Sequence, residues 1–280
     1  MNYNLAWGSN HPGLLVYLVD LSGSMKWDEK NKRVSNIIWN VLDYLTAGCQ
    51  DMGEYRERFH LKIIGYNQYI TEIFSGDIHH ILDHLEKTEE TKQFINTNEK
   101  KSEGLTHMAT AYEEAAVIIN KWINEQNTKG IPTPAPIVIN ITDGYPEEKN
   151  ITPEQARDKA LNAAQNLMNI SVPDGNVLLF NIHIEGVEGK EPEIILPYTR
   201  PTDFCKGFLF DASTELNDEF ITRATRSGLP ASKGSHFMAS NISFTTSNSS
   251  NRDLLSQLIV FGSTVSGLNS LNGRREVPIP

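Results

Sequence analysis

A carboxylate and two hydroxyls, spaced two residues apart, follow the most apolar stretch of the chain. Asp20, Ser22 and Ser24 come directly after the run 14–19, whose six residues are all apolar and mostly branched or aromatic. Such a run is typical of a strand that is buried on both faces of a sheet. Open α/β sheets bind ligands at the carboxyl ends of their strands, and oxygen groups suit a small hard cation such as Mg²⁺. The pattern Asp-x-Ser-x-Ser therefore predicts one part of a metal site.

Two further oxygen-bearing residues occupy comparable places. Thr106 precedes a predicted helix at 109–124, and Asp143 follows a predicted buried strand at 137–142. Because the carboxyl ends of neighbouring strands converge in a doubly wound sheet, residues that are distant in sequence can meet at one edge. Two carboxylates and three hydroxyls would form an all-oxygen site for Mg²⁺, with Mn²⁺ as the alternative. Such a site lacks the nitrogen and sulfur ligands that zinc prefers.

Alternating strands and helices must position these residues. Besides the two strands above, apolar patterns predict strands at 59–66, 69–74 and 177–184, and helices at 30–45, 78–86, 153–167, 216–226 and 254–261. This order predicts an α/β fold with a doubly wound, mostly parallel sheet and helices on both faces. A hairpin through Asn67 and Gln68 would make one edge strand antiparallel. Thr152 and Gln155 predict a capping box at the start of the helix that follows.

The length of 280 residues suits one large α/β domain. We predict that this domain covers residues 11–265, between an N-terminal tail at 1–10 and a C-terminal tail at 266–280. Three polar segments, at about 87–103, 186–207 and 228–251, are predicted to be loop insertions, and the third contains a candidate short strand at 236–238.

Composition excludes several classes of function. Lys and Arg number 25 against 35 Asp and Glu, and the resulting charge of −10 argues against nucleic-acid binding. No apolar run approaches the roughly 20 residues of a membrane helix, and residues 1–13 lack the features of a signal peptide. Cys49 and Cys205 are too few for a disulfide framework. We therefore expect a cytoplasmic protein that binds neither nucleic acid nor a membrane.

The five candidate ligands resemble the metal-ion-dependent adhesion site (MIDAS) of the von Willebrand factor A (VWA) family. Asp20, Ser22 and Ser24 match its first motif, Thr106 matches its second, and Thr142-Asp143-Gly144 matches its third. The resemblance covers roughly residues 11–262 and implies a Rossmann-like fold. It also implies that the serines and the threonine bind the cation directly, and that the aspartates bind it directly or through water. In this family a carboxylate of a partner protein often completes the coordination sphere.

The chain departs from the family pattern in one loop, and its C-terminal third resembles one subgroup. His107 follows Thr106 where a proline is common, and Leu105 replaces a frequent second glycine. Segments 209–214, 235–237 and 261–264 are similar to stand-alone bacterial members associated with tellurium-resistance and stress operons. Those members often occur beside a serine/threonine kinase and a PP2C-type phosphatase. The resemblance implies a non-enzymatic, Mg²⁺-dependent module that binds an acidic residue of a protein partner, with such a kinase or phosphatase as the candidate.

Other interpretations of the same residues stay open at this point. Asp20 at a strand end is compatible with a metal-dependent phosphohydrolase, although haloacid-dehalogenase-like enzymes carry a second carboxylate where this chain has Ser22. A scaffold with a vestigial metal site is another alternative. His80 and His84 share one face of a predicted helix and suggest a zinc site, but no further ligand is fixed by the spacing.

Overall fold

A central sheet of seven strands carries the fold in a computed structural model of the protein. The model describes residues 3–97, 99, 102–186, 192–243 and 254–264. The strands are β1 (Gly13–Asp20), β2 (Gln50–Asp51), β3 (Glu54–Tyr55), β4 (Phe59–Tyr66), β5 (Ile70–Gly76), β6 (Ile137–Thr142), β7 (Ser171–Val172), β8 (Gly175–Asn176), β9 (Leu178–Gly186), β10 (Ile194–Ile195) and β11 (Met238–Ser243). The helices are α1 (Lys30–Ala47), α2 (Ile78–Lys87), α3 (Met108–Thr128), α4 (Pro153–Met168), α5 (Phe204–Asp211), α6 (Asp218–Arg226) and α7 (Leu254–Thr264), and a 3-10 helix spans Gly23–Glu29.

The order of the strands in the sheet is β10-β11-β9-β6-β1-β4-β5. Strand β1 lies near the middle and pairs in parallel with β4 on one side and β6 on the other. The predicted antiparallel edge strand is confirmed as β5, which forms a hairpin with β4. A second antiparallel strand, β10, lies at the opposite edge beside β11. It has only two residues and falls within the segment 186–207, which is predicted to be a loop insertion.

Helices cover both faces of the sheet, as predicted. Every residue of β1 is buried, because alternate side chains of a strand point to opposite faces and both faces of this sheet are covered. Leu15, Tyr17 and Val19 pack on the side of α1, α2, α6 and α7. Leu14, Val16 and Leu18 pack on the side of α3, α4 and α5. This burial on both sides holds the end of β1, where Asp20 lies, in a fixed position.

Most strands and helices form where local sequence patterns predict them. Strands β4 and β6 have the predicted bounds, and the other long elements differ from prediction by a few residues at their ends. The capping box of α4 is present: Thr152 Oγ1 accepts a hydrogen bond from the Gln155 amide, and the Gln155 side chain accepts one from the Thr152 amide.

The N-terminal segment differs from the expected tail. Tyr3 and Trp7 are buried in the core, and Gly13 leaves room for the Trp7 ring, since a methyl group at Gly13 would lie 2.1 Å from it. Residues 3–10 therefore pack on the domain, although two isolated aromatic residues carry no periodic signal.

Two of the predicted loop insertions also contain regular structure, β10 with the start of α5 in one and β11 in the other. The predicted tail at 266–280 lies outside the described residues.

None of the described helices combines the length and the apolar character that a helix needs to cross a bilayer.

Candidate metal centre

Three loops meet at the carboxyl ends of β1 and β6. The loop after β1 contacts the loop before α3 through two backbone hydrogen bonds, from Gly23 N to Gly104 O (3.1 Å) and from Glu103 N to Leu21 O (2.7 Å). The loop after β6 joins them because Glu147 N donates to Thr106 O (3.0 Å). The predicted convergence of these three segments is therefore present in the structure.

Asp20 is fully buried and its carboxylate is held at both oxygens. Oδ1 accepts a hydrogen bond from the amide of Ser22 (2.7 Å), and Oδ2 accepts one from Oγ1 of Thr142 (2.6 Å). The first contact is local, whereas the second joins the ends of two neighbouring strands. Both fix the orientation of the carboxylate.

The two serines connect Asp20 to Asp143. Oγ of Ser22 lies 3.1 Å from Oγ of Ser24, which donates a 2.8 Å hydrogen bond to Oδ1 of Asp143. Four of the five predicted ligands thus form one continuous chain of contacts.

Thr106, the fifth predicted ligand, lies beside Gly144 and close to Asp20. A methyl group at Gly144 would lie 3.2 Å from Oγ1 of Thr106 and 3.4 Å from Oδ2 of Asp20. Both oxygens therefore border the same small space. The family departure at His107 has a local reason, because its amide donates to Asn67 O at 3.2 Å. A proline has no amide hydrogen to make this contact, so the departure ties the loop to the β4–β5 hairpin.

Burial dominates the electrostatics of Asp20. Loss of solvent raises the pKa of its carboxyl to about 6, with a small further rise from Asp143, while the hydrogen bonds from Thr142 and Ser22 lower it. A divalent cation would favour the charged form of this group.

Asp143 has a partner that sequence reasoning missed. Its Oδ2 is buried and forms an ion pair with the ammonium of Lys30. Lys30 is the first residue of α1. The available signal was weak: a lysine at a helix N-terminus, where the helix dipole disfavours a cation.

A buried polar network continues from the site across the sheet. The Tyr66 hydroxyl donates to Oδ1 of Asn140 (2.8 Å), and Nδ2 of Asn140 donates to Oδ1 of Asn181 (3.0 Å). The Tyr112 hydroxyl donates to the same Asn181 oxygen (2.7 Å). The sequence signal for this network was one asparagine in each of two apolar strands, Asn140 in β6 and Asn181 in β9. Buried polar groups require partners.

The residues present fit a hard divalent cation. All five predicted ligands offer oxygen, two of them are carboxylates, and the three loops bring them together at the ends of β1 and β6. Ser22, Ser24 and Thr106 would hold the cation, with Asp20 and Asp143 beside them. Hydroxyl donors are typical of sites for Mg²⁺ or Mn²⁺ and unlike those for zinc.

The alternative zinc site at the histidines does not form. Nδ1 of His80 lies 2.6 Å from Oδ1 of Asp77, the N-cap of α2, and Nε2 of His84 lies 2.8 Å from the carbonyl oxygen of Phe94. In the part of the chain that the structure describes, no three His, Cys, Asp or Glu side chains group as a metal site.

Several solved structures resemble this chain. Pilus adhesin SpaC from Lactobacillus rhamnosus GG matches over 96% of this chain and 32% of its own, with a TM-score of 0.51 and 10% identity. The manganese-loaded TRAP protein of Plasmodium vivax matches over 62% of this chain and 57% of its own, with a TM-score of 0.41 and 22% identity. Proximal thread matrix protein 1 of the mussel byssus, with a zinc-occupied MIDAS motif, matches over 76% and 43%, with a TM-score of 0.39 and 15% identity. This chain thus spans 32% to 57% of the length of these proteins.

No protein-family model matches the chain, and no curated protein matches it in sequence. The strand order, the helices on both faces and the likeness to SpaC define an α/β protein with the VWA fold. The bacterial stress-operon subgroup stays a prediction from sequence.

Proposed function

We propose that the protein is a non-enzymatic binding module that uses a divalent cation, Mg²⁺ or Mn²⁺, to hold a carboxylate of a partner protein. The observation that carries this proposal is the convergence of two carboxylates and three hydroxyls from three loops. When bound, the cation supplies a Lewis-acidic position that accepts an oxygen of the partner.

The residues at the site have different proposed roles. Ser22, Ser24 and Thr106 present neutral oxygens, which would bind the cation without offsetting its charge. Asp20 and Asp143 supply the negative charge that retains it. Thr142 and the Ser22 amide hold Asp20 in one orientation, as supporting hydrogen bonds do in metal sites.

The environment of Asp20 supports binding over catalysis. A phosphoryl-accepting carboxylate needs a free oxygen that can reach the substrate. Both oxygens of Asp20 accept hydrogen bonds, and the residue is fully buried. This geometry argues against the phosphohydrolase alternative in its nucleophilic form.

The partner is proposed to be a protein with an accessible Asp or Glu. The net charge of −10 repels acidic molecules at long range, so the attraction must come from the cation at close range. From the sequence resemblance, we propose a cytoplasmic role in a bacterial stress-response or signalling system. A kinase or PP2C-type phosphatase of the same operon is the first candidate partner.

Calorimetric titration with MgCl₂ and MnCl₂ tests the metal site. We expect saturable binding that Asp20→Ala abolishes and that Asp83→Ala, an exposed substitution on α2, leaves unchanged. Absence of heat with both ions, together with an unchanged melting temperature, would establish a vestigial scaffold instead.

Two assays then separate binding from turnover. Purified candidate partners should be retained by the immobilised, Mg²⁺-loaded protein and released by EDTA, and Asp20→Ala should not retain them. Hydrolysis of a phosphate ester that requires Mg²⁺ and is lost in Asp20→Ala would replace the proposal with the phosphohydrolase.

A further inference from the structure

Lys30 buries its side chain against the candidate metal site. Its Nζ pairs with Oδ2 of Asp143, and the exposed fractions of the two side chains are 7% and 0%. The other oxygen of the same carboxylate, Oδ1, accepts the hydrogen bond from Ser24. The Asp143 carboxylate therefore lies between the ammonium of Lys30 and the serine hydroxyls.

This placement is unfavourable for a lysine in two respects, and the backbone that precedes it is strained. An ammonium loses hydration when it is buried, and the first residue of a helix faces the positive end of the helix dipole. The two preceding residues, Asp28 and Glu29, have φ values of 55° and 53°, a left-handed conformation that residues with a side chain avoid. By contrast, the nearby Lys32 has a side chain that is 47% exposed and pairs with Glu29. The Lys30 ammonium therefore lies at Asp143 despite the unfavourable burial and helix-dipole terms.

The ammonium changes the charge of the site. Asp20 and Asp143 carry two negative charges when ionised, and Lys30 offsets one of them. A bound divalent cation then leaves one positive charge unbalanced, which a single carboxylate of a ligand would neutralise. His183 lies within electrostatic range of Asp143 and Lys30, and burial lowers its pKa, which disfavours a second positive charge there. Its Nδ1 lies 3.2 Å from Oγ of Ser240.

We infer that Lys30 sets the charge of the metal site so that the cation and an anionic ligand bind together. Lys30 weakens binding of the cation alone and strengthens binding of a carboxylate to the loaded protein. It also makes the loaded site prefer an anionic ligand over a neutral one. The inference rests on the proposed function and specifies the ligand class of the same site.

Titration of Mn²⁺ into the 280-residue chain, alone and with excess acetate, tests this inference. In the wild type, acetate should tighten Mn²⁺ binding by roughly tenfold, because linkage makes the two affinities rise by the same factor. Acetamide, a neutral analogue of acetate, should have no effect. In Lys30→Met, Mn²⁺ alone should bind about tenfold more tightly than in the wild type, and acetate should change its affinity less than twofold. Lys30→Arg keeps the charge and should behave as the wild type does.

Each other outcome has a definite meaning. If the wild type binds Mn²⁺ with the same affinity in acetate and in its absence, the inference is wrong, and this comparison requires no variant. If folded Lys30→Met binds Mn²⁺ no more tightly than the wild type, Lys30 has only a structural role. If the wild type binds no Mn²⁺ at all, the proposed function itself fails. Near-ultraviolet circular dichroism of each metal-free variant checks that it is folded.

Discussion

Oγ1 of Thr142 donates a 2.6 Å hydrogen bond to Oδ2 of Asp20, across 122 positions of sequence. The two residues end the neighbouring parallel strands β6 and β1. This contact joins the first and the third motif of the candidate metal site. Thr142 therefore positions a ligand without being one of the five predicted ligands.

Thr142→Val should weaken both the fold and the site. The substitution nearly preserves the shape of the side chain but leaves Oδ2 of Asp20 buried without its donor, which we expect to cost about 1–3 kcal/mol of stability. Affinity for Mn²⁺ should fall by about tenfold, as it does when supporting hydrogen bonds of metal ligands are removed. Thermal unfolding and calorimetry measure the two effects. Thr142→Ser, which keeps the hydroxyl, should retain most of both, and equal losses in the two variants would contradict this role.

Gly144→Ala should interfere with metal binding more than with folding. The added methyl group would lie 3.2 Å from Oγ1 of Thr106 and 3.4 Å from Oδ2 of Asp20, so it would occupy space between two ligands. We expect Mn²⁺ affinity to fall by about tenfold or more, with a loss of stability below about 1 kcal/mol. Gly23→Ala is the matched control, because its methyl group would meet only the carbonyl oxygen and amide nitrogen of Gly104 at 3.7 Å and 3.9 Å. Unchanged Mn²⁺ binding in Gly144→Ala would place the cation elsewhere.

The stability of the metal-free protein should depend on the protonation of Asp20. Burial raises the pKa of this carboxyl from 3.8 to about 6, so the folded state holds the proton more tightly than the unfolded chain does. Between these two values, the folded state still holds a proton that the unfolded chain has lost, so a rise in pH favours unfolding and the contribution of Asp20 to stability falls. From about pH 5 to about pH 7 this contribution should decrease by about 1 kcal/mol.

Urea unfolding in EDTA at both pH values measures this effect, and Asp20→Asn is the control. The asparagine variant does not titrate at this position, so its stability should fall less over the same interval. Mn²⁺ affinity of the wild type should change in the opposite direction and rise with pH, since the cation binds the ionised carboxylate. A parallel pH dependence of stability in both proteins would show that other groups dominate.

Asn140→Leu should destabilise the fold through the buried network. The amide of Asn140 accepts from the Tyr66 hydroxyl and donates to Asn181, so its loss leaves buried polar groups without partners. We expect a loss of about 2–4 kcal/mol in urea unfolding. The double variant with Tyr66→Phe should lose less than the sum of the two single variants, because it leaves no unpaired tyrosine hydroxyl. Strict additivity would show that the two groups are energetically independent.

The sequence by itself determined the layers of the fold and the members of the candidate site. Continuous apolar runs at β1 and β6, and helical periodicity in α1 and α3, are local signals that burial on a covered sheet requires. The capping box of α4 depends on residues three positions apart, so it could also be predicted from the sequence. Asp20, Ser22, Ser24, Thr106 and Asp143 were predicted because parallel strands bring their carboxyl ends to one edge, and the structure brings these five together. Their binding of a cation stays a prediction.

Only the tertiary structure decided which residues surround those five. The pairing of Lys30 with Asp143 joins positions 113 residues apart, and Lys30 follows a backbone turn at Asp28 and Glu29 for which sequence patterns hold no periodic signal. The second antiparallel strand β10 consists of two residues that are ordered by β11, and Tyr3 and Trp7 are isolated aromatic residues. Such contacts are formed by packing between distant segments, so they follow from the assembled fold and not from local pattern.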